Sequence, residues 1–386
     1  MVWKTGALGQ ALTVSRRWLM PAAGAMILAA SFQAAAQEPF KIGAVFNISG
    51  PFAALGTEQS RGAEMAVAEI NRVGGVDGRQ LELLLEDDQS KPDIGVPRAT
   101  KLINQDKVSA LVSAYINSIL AFAKIAEKAK VPVFAISNSA GLTQTGNDYI
   151  FRASIGDPIV LKEMLQLLRN SGKTKIAVLY QGDAYGGGAF SLIKGDLTGL
   201  DLVAAESFPV QASLDLTPQL TRIRSKSPDA IILWCAPSQA ITALKNAQQL
   251  EINTPIFGSV AIASQNVVTG AGSAADGVVV PDVLDRQNPS PALAAFLEKY
   301  KERYGAYPST PYSVYAWDAI QVVAAALKDS GGKSEIVKQN AEKLQDVEGL
   351  TGRFRYSPEN REGLSAKSIR WVTVKDGKFV PYDIRP

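Results

Sequence analysis

Histidine is absent from the 386 residues, and cysteine occurs once, at Cys235. Without histidine there is no Ser-His-Asp or Cys-His catalysis, and the commonest zinc ligand is missing. A single cysteine forms no intramolecular disulfide, and Cys235 ends the apolar run 230–235, where a buried, inert thiol is expected. No P-loop and no G-x-S-x-G elbow occurs. Gly270-Ala271-Gly272-Ser273-Ala274-Ala275 fits G-x-G-x-x-A, but it precedes a strand-like run instead of following one, so it reads as a surface turn. The glycines of 182–188 sit between a strand and a helix pattern, yet lack both the dinucleotide spacing and the Lys-Ser/Thr of a phosphate loop. Asp87-Asp88 is a carboxylate pair with no evident partner base; solvation or helix capping is its ordinary role. An enzyme lacks its parts here.

Net charge is also missing once the chain is divided. Of 40 Lys+Arg and 37 Asp+Glu, three cations (Lys4, Arg16, Arg17) fall in the first 36 residues, which hold no acid. The remainder balances at 37 against 37, so nothing argues for nucleic acid or an anionic membrane surface as partner. Those first 36 residues combine the charged start with an apolar run over 18–30 and the small residues Ala34-Ala35-Ala36. These are the parts of a secretory signal peptide, and the apolar run, interrupted by Pro21, is short for a membrane span of roughly 20 residues. Ser15-Arg16-Arg17-Trp18-Leu19 leaves both the general and the twin-arginine export routes open, and either implies a periplasmic location.

From Lys41 onward, short β-rich runs alternate with helical patterns. Strands are read at 42–46, 81–86, 108–113 and 131–135, with helices at 58–71, ending near 105, and at 119–129; the first carries Ala63, Ala66, Val67 and Ile70 on one face. A second series places helices at 159–170, 185–197, 216–225 and 239–250 among strands at 175–180, 202–208, 230–234 and 255–258. After 278–280 come helices at 291–304, 312–328 and 334–344, then β-like segments near 353–356, 369–374 and 379–382. The expected fold class is α/β, with parallel sheets between helices, and about 350 residues beyond the leader call for two lobes. No repeat of fixed period appears.

Several motifs together resemble one family. Ser49-Gly50-Pro51 with Gly56, Gly62-Ala63 and Ala66-Val67 form an opening. Ile70-Asn71, Gly74-Gly75-Val76 and Gly78-Arg79 follow as the most specific signature, then Asp87-Asp88 and Asp183-Ala184-Tyr185-Gly186. Over 41–374 the chain resembles the type I periplasmic substrate-binding proteins of ABC transporters, in the branch of leucine/isoleucine/valine-binding proteins. The resemblance implies two Rossmann-like lobes, 37–153 with 285–352 and 158–281 with 356–386. They would be joined by crossings near 154–158, 281–285 and 352–356 and would close on ligand about a hinge. It implies no cofactor and no metal, and a membrane permease as partner; a monomer is expected, since a clamp that opens and closes needs no second copy.

By the same resemblance, the loop Tyr115-Ile116-Asn117-Ser118 would meet a ligand carboxylate at a helix N-terminus, although Ser118 also fits a plain helix cap. Ser137, Asn138 and Ser139 would supply a second set of contacts, and Tyr185 would close over the ligand from the second lobe. Three positions depart from the family pattern. Val260 stands where amino-acid binders carry an acid for the ammonium group, Leu55 with Phe52 nearby replaces an aromatic, and a further aromatic falls at Ala236, with Trp234 close by. A buried ammonium without an acid costs several kcal/mol, so an aromatic or branched aliphatic acid is expected ahead of an amino acid. Three classes remain: a transport receptor for that carboxylate or for a branched-chain or other amino acid, a ligand-presenting sensor, and an exported enzyme on the same scaffold.

Overall fold

The computed structural model describes residues 37–143, 145–210 and 215–383; the leader read over 1–36 lies outside them. A first, wholly parallel sheet comprises β1 (Phe40–Phe46), β2 (Leu81–Asp87), β3 (Ala110–Ser113), β4 (Val133–Ala135) and β5 (Ile150–Arg152), in the order β2-β1-β3-β4-β5. Its crossovers carry α1 (Ala53–Arg72), α2 (Pro92–Asn104) and α3 (Ile116–Lys128). Helices cover both faces, which is why FKIGAVF in β1 runs apolar instead of alternating.

The chain then enters α4 (Asp157–Asn170), β6 (Lys175–Gln181), α5 (Ala184–Gly195), β7 (Asp201–Phe208), α6 (Thr217–Arg224) and β8 (Ala230–Trp234). It continues through α7 (Pro237–Gln249), β9 (Ile256–Gly258), α8 (Gln265–Ala271) and β10 (Val279–Asp282). Strands β6 to β10 lie in the order β7-β6-β8-β9-β10, the pattern of the first sheet over again. The crossover rule repeats although the residues do not.

Helices α9 (Pro291–Tyr304), α10 (Tyr312–Leu327) and α11 (Ser334–Ala341) return to the first sheet, with α10 lying along α1. Thirteen of the 16 residues of α10 are buried, so it is a core helix, apolar on nearly every side. A small hairpin, β11 (Val347–Glu348) and β12 (Arg353–Phe354), precedes the antiparallel pair β13 (Arg370–Lys375) and β14 (Lys378–Pro381), which extends the second sheet beyond β10. The turn of that pair is Asp376-Gly377, both at positive φ, as a two-residue hairpin requires.

Three departures from the sequence reading have physical causes. Helix α1 begins at Ala53 instead of 58, on an N-cap, Phe52, that makes no side-chain capping bond. The segment read as a surface turn at 270–275 holds the end of α8 and a 3-10 turn; a Cβ at Gly270 would press on the Ile241 side chain, so glycine lets α8 sit against α7. Strand β5, three residues long and ending in a buried arginine, carries no periodic signal. Cys235 is buried, and burial holds its thiol far above its ordinary ionisation range. Among the described residues no helix is long and apolar enough to cross a membrane.

Candidate ligand-binding site

Open parallel sheets place their functional loops at the carboxyl ends of the strands. Here those ends, from both sheets, surround one cavity of about 80 Å³. Asn47, following β1, sends Nδ2 to the Phe52 carbonyl at 2.8 Å and so shapes the loop that brings Phe52 and Leu55 to the wall. A Cβ at Gly56 would overlap the Asn47 carbonyl, so only glycine lets α1 start this close to the strand end. The Phe52 and Tyr115 rings meet at 5.6 Å between centroids. Tyr115 is the N-cap of α3 but makes no side-chain cap. The amides of Ile116, Asn117 and Ser118 are therefore free of protein acceptors among the described residues, at the positive end of the helix.

After β4, Ser137 and Asn138 reach the cavity. Asn138 joins three parts of the chain: its Oδ1 accepts the Tyr312 hydroxyl at 2.7 Å, its Nδ2 donates to Ile155 O at 2.6 Å, and its carbonyl accepts Asp157 N–H at 2.7 Å. The second lobe contributes Gln181, Asp183, Tyr185, Ala236 and Ala261. Asp183 Oδ1 caps α5 by accepting Tyr185 N–H and Gly186 N–H at 3.0 and 3.1 Å, while its Oδ2 accepts Gln181 Nε2 at 2.8 Å. Gln181 Oε1 in turn accepts Ala236 N–H at 3.2 Å. Burial, reinforced by nearby Asp157, pushes ionisation of the Tyr185 hydroxyl well above the ordinary tyrosine range. Among its described lining residues there is no lysine or arginine, and Asp183 is the one carboxylate.

The eleven residues singled out from the sequence divide accordingly. Phe52, Leu55, Tyr115, Ser137, Asn138 and Tyr185 line the cavity. Asn117 does not; its Nδ2 donates to the Tyr115 hydroxyl at 2.8 Å. Ser118 is buried on the far side of α3, beneath Gly95 and beside Asp88, whose carboxyl is pushed up by burial. Ser139 is buried facing Gly188 of α5. Trp234 packs behind Tyr185, tilted at 42° and 6.3 Å between centroids, and donates its indole N–H to Asp157 Oδ2 at 3.3 Å. Val260 is buried in a 3-10 turn, and its neighbour Ala261 forms the wall. The sequence reading passed over Asn47, Gln59, Gln181 and Tyr312. Asn47 and Gln181 sit at the carboxyl ends of β1 and β6, a signal the strand-end rule offers, whereas Tyr312 arrives from 174 residues beyond its partner Asn138 without any local signal.

A family model described as periplasmic binding protein matches residues 39–378. The chain is 28% identical over 376 residues to Leu/Ile/Val-binding protein homolog 7 of Brucella abortus (strain 2308), covering 90% of this chain and 92% of the relative. Among solved structures it is similar to the branched-chain amino acid transporter substrate-binding protein LivJ of Streptococcus pneumoniae in complex with isoleucine: 29% identity, TM-score 0.77, covering 88% of this chain and 97% of that one. The leucine-binding protein LivK of Thermotoga maritima shares the fold at TM-score 0.79 and 23% identity, covering 89% and 97%. The chain belongs to the periplasmic binding protein family, and it is a binding protein, not an enzyme.

Proposed function

We propose that this chain is the extracytoplasmic receptor of an ABC importer: it captures a small carboxylate with an apolar body between its lobes and hands it to a membrane permease. The observation that carries this reading is the pairing of two surfaces around one cavity. On one side lie the uncapped N-terminus of α3 and the loop at Ser137 and Asn138, which suit an anion. On the other lie Phe52, Leu55, Tyr185, Ala236 and Ala261, which suit hydrocarbon.

The names of the relatives favour a branched-chain amino acid over the aromatic acid that Val260 suggests, and leucine is the first ligand to test. Its ammonium would fall to Asp183, the one carboxylate among the described lining residues, whose oxygens also accept three hydrogen bonds. An amine-free branched or aromatic acid is the second reading. It is favoured by Val260, an apolar residue where the family pattern has an acid, and by the engagement of both Asp183 oxygens.

The test is a thermal-shift titration of residues 37–386, unfolded and refolded to strip any carried ligand, with L-leucine, 4-methylpentanoate and benzoate. A ligand at about 100 times its Kd adds roughly 2.7 kcal/mol to the folded state. A shift with leucine that weakens in Asp183→Asn supports the amino-acid reading, and a shift with the amine-free acids alone supports the second. No shift with any of the three refutes the carboxylate. Uptake that depends on the protein separates importer from sensor.

A further inference from the structure

We infer that Arg152 is a positioning residue that turns the 137–139 loop into a receptor for the ligand's carboxylate; the inference rests on the reading of the cavity given above. Arg152 ends β5, and its side chain is completely buried. A buried guanidinium persists only where its donors are satisfied. Here Nη1 donates to the Ser137 carbonyl, Nη2 to the Ser139 carbonyl at 2.9 Å, and Nε to Glu362 Oε2 at 2.8 Å. Glu362 also accepts the Thr143 hydroxyl, and a Cβ on Gly156 would overlap its carboxylate. The backbone of Arg152 is tied as well: its N–H donates to Arg361 O at 2.8 Å, and its carbonyl accepts the Tyr356 hydroxyl at 2.8 Å.

These anchors leave the loop with a one-sided hydrogen-bonding character. All three of its carbonyls are occupied, Ser137 and Ser139 by the guanidinium and Asn138 by the Asp157 amide. The amides of Ser137, Asn138 and Ser139, in contrast, donate to no acceptor among the described residues. A segment with acceptors spent and donors free is set for an anion. Released from Arg152, the Ser137 carbonyl would be free to turn toward the cavity and present partial negative charge to the carboxylate, while the Ser139 carbonyl would keep only the Leu142 N–H at 3.3 Å. Lysine keeps the charge at 152 but cannot span two carbonyls and a carboxylate, because that takes the planar fork.

Calorimetric Kd values for two acid–amide pairs read this out: L-leucine with L-leucinamide, and 4-methylpentanoate with 4-methylpentanamide. Each amide keeps the apolar body and loses the anion. In Arg152→Lys the preference for acid over amide falls at least tenfold relative to wild type. In Glu362→Gln, which keeps the fork but loosens one anchor, it falls about threefold. Equal loss of acid and amide affinity, or an unchanged preference in both variants, overturns the positioning role while leaving the ligand reading intact. If Arg152→Lys does not fold, Glu362→Gln decides alone. Wild type that binds neither acid refutes the carboxylate reading and this inference with it.

Discussion

Replacing Glu58 with glutamine tests how the late helices are held against the cleft. Glu58 lies on α1, buried, and both oxygens are in use. Oε1 accepts Ser309 N–H at 2.7 Å and the Ser309 hydroxyl at 2.6 Å; Oε2 accepts Thr310 N–H at 3.1 Å and the Thr310 hydroxyl. An amide keeps one oxygen and turns an NH2 toward two donors, so two of the four bonds are lost. Hydrogen bonds to a charged acceptor contribute about 1.5–3 kcal/mol each, and rotation of the threonine hydroxyl recovers part of one, which leaves a loss of about 2–4 kcal/mol. Ser309 also meets the other lobe, accepting Gln265 N–H at 2.8 Å on its carbonyl and Asn266 Nδ2 at 3.0 Å on its hydroxyl, and Tyr312 of the cavity wall follows three residues later. Ligand affinity should therefore fall together with stability. Urea unfolding of unliganded wild type and Glu58→Gln at neutral pH measures the first effect, with Glu302→Gln at an exposed site as control. A difference below about 0.5 kcal/mol, within the range of ordinary surface substitutions, refutes the claim that this carboxylate anchors the 309–310 segment.

Two further outcomes are expected. Asp318 is buried beneath Leu350 and Thr351, and desolvation lifts its carboxyl from 3.8 to about 6 against the hydrogen bonds that oppose the shift. The folded state then binds the proton more tightly than the unfolded chain, so this group's contribution to stability is greatest below about pH 4 and declines, by up to about 3 kcal/mol, as pH rises to about 6. The stability of wild type relative to Asp318→Asn, measured in urea, should therefore be higher at pH 4 than at pH 7; the opposite slope contradicts the assignment. At Gly188 a Cβ would lie 3.5 Å from the Ala140 Cβ in the facing lobe. Gly188→Leu should wedge the lobes apart, weakening at least tenfold the binding of whichever acid stabilises wild type in the thermal-shift titration and enlarging the radius of gyration in solution scattering, with little change in unliganded melting temperature. An unchanged Kd argues that the α5 face takes no part in closure.

Much of the architecture is visible in local pattern. The strand at 230–234 and the helix at 291–304 have the limits the periodicity assigns, because one is a continuous apolar β-rich run and the other opens on Ser290-Pro291 and closes on Gly305. Side chains whose roles depend on distant partners were not legible. Glu58 opens the helix read at 58–71, and nothing near it in sequence announces Ser309 or Thr310. Arg152 falls outside the elements read from the sequence, and nothing nearby in sequence announces Glu362 or the two carbonyls that justify burying it. The second-lobe wall shows how small displacements matter. Ala236 faces the cavity, as the register places it, while Trp234, at the end of β8, is buried behind; Val260 sits in the expected turn but is buried inward, and its neighbour Ala261 faces the cavity.

The path of α10 has a consequence for the order in which the protein matures. This helix covers α1 and supplies Tyr312 to the cavity, yet it is translated about 240 residues after α1. Until then the first sheet has its own crossover helices but lacks the one that seals them, and bare apolar surface of this kind keeps a nascent chain from settling. Binding competence therefore arrives late and all at once. A ribosome-bound chain stalled near residue 300 should neither bind ligand nor resist protease, although it already holds every residue of both parallel sheets up to β10.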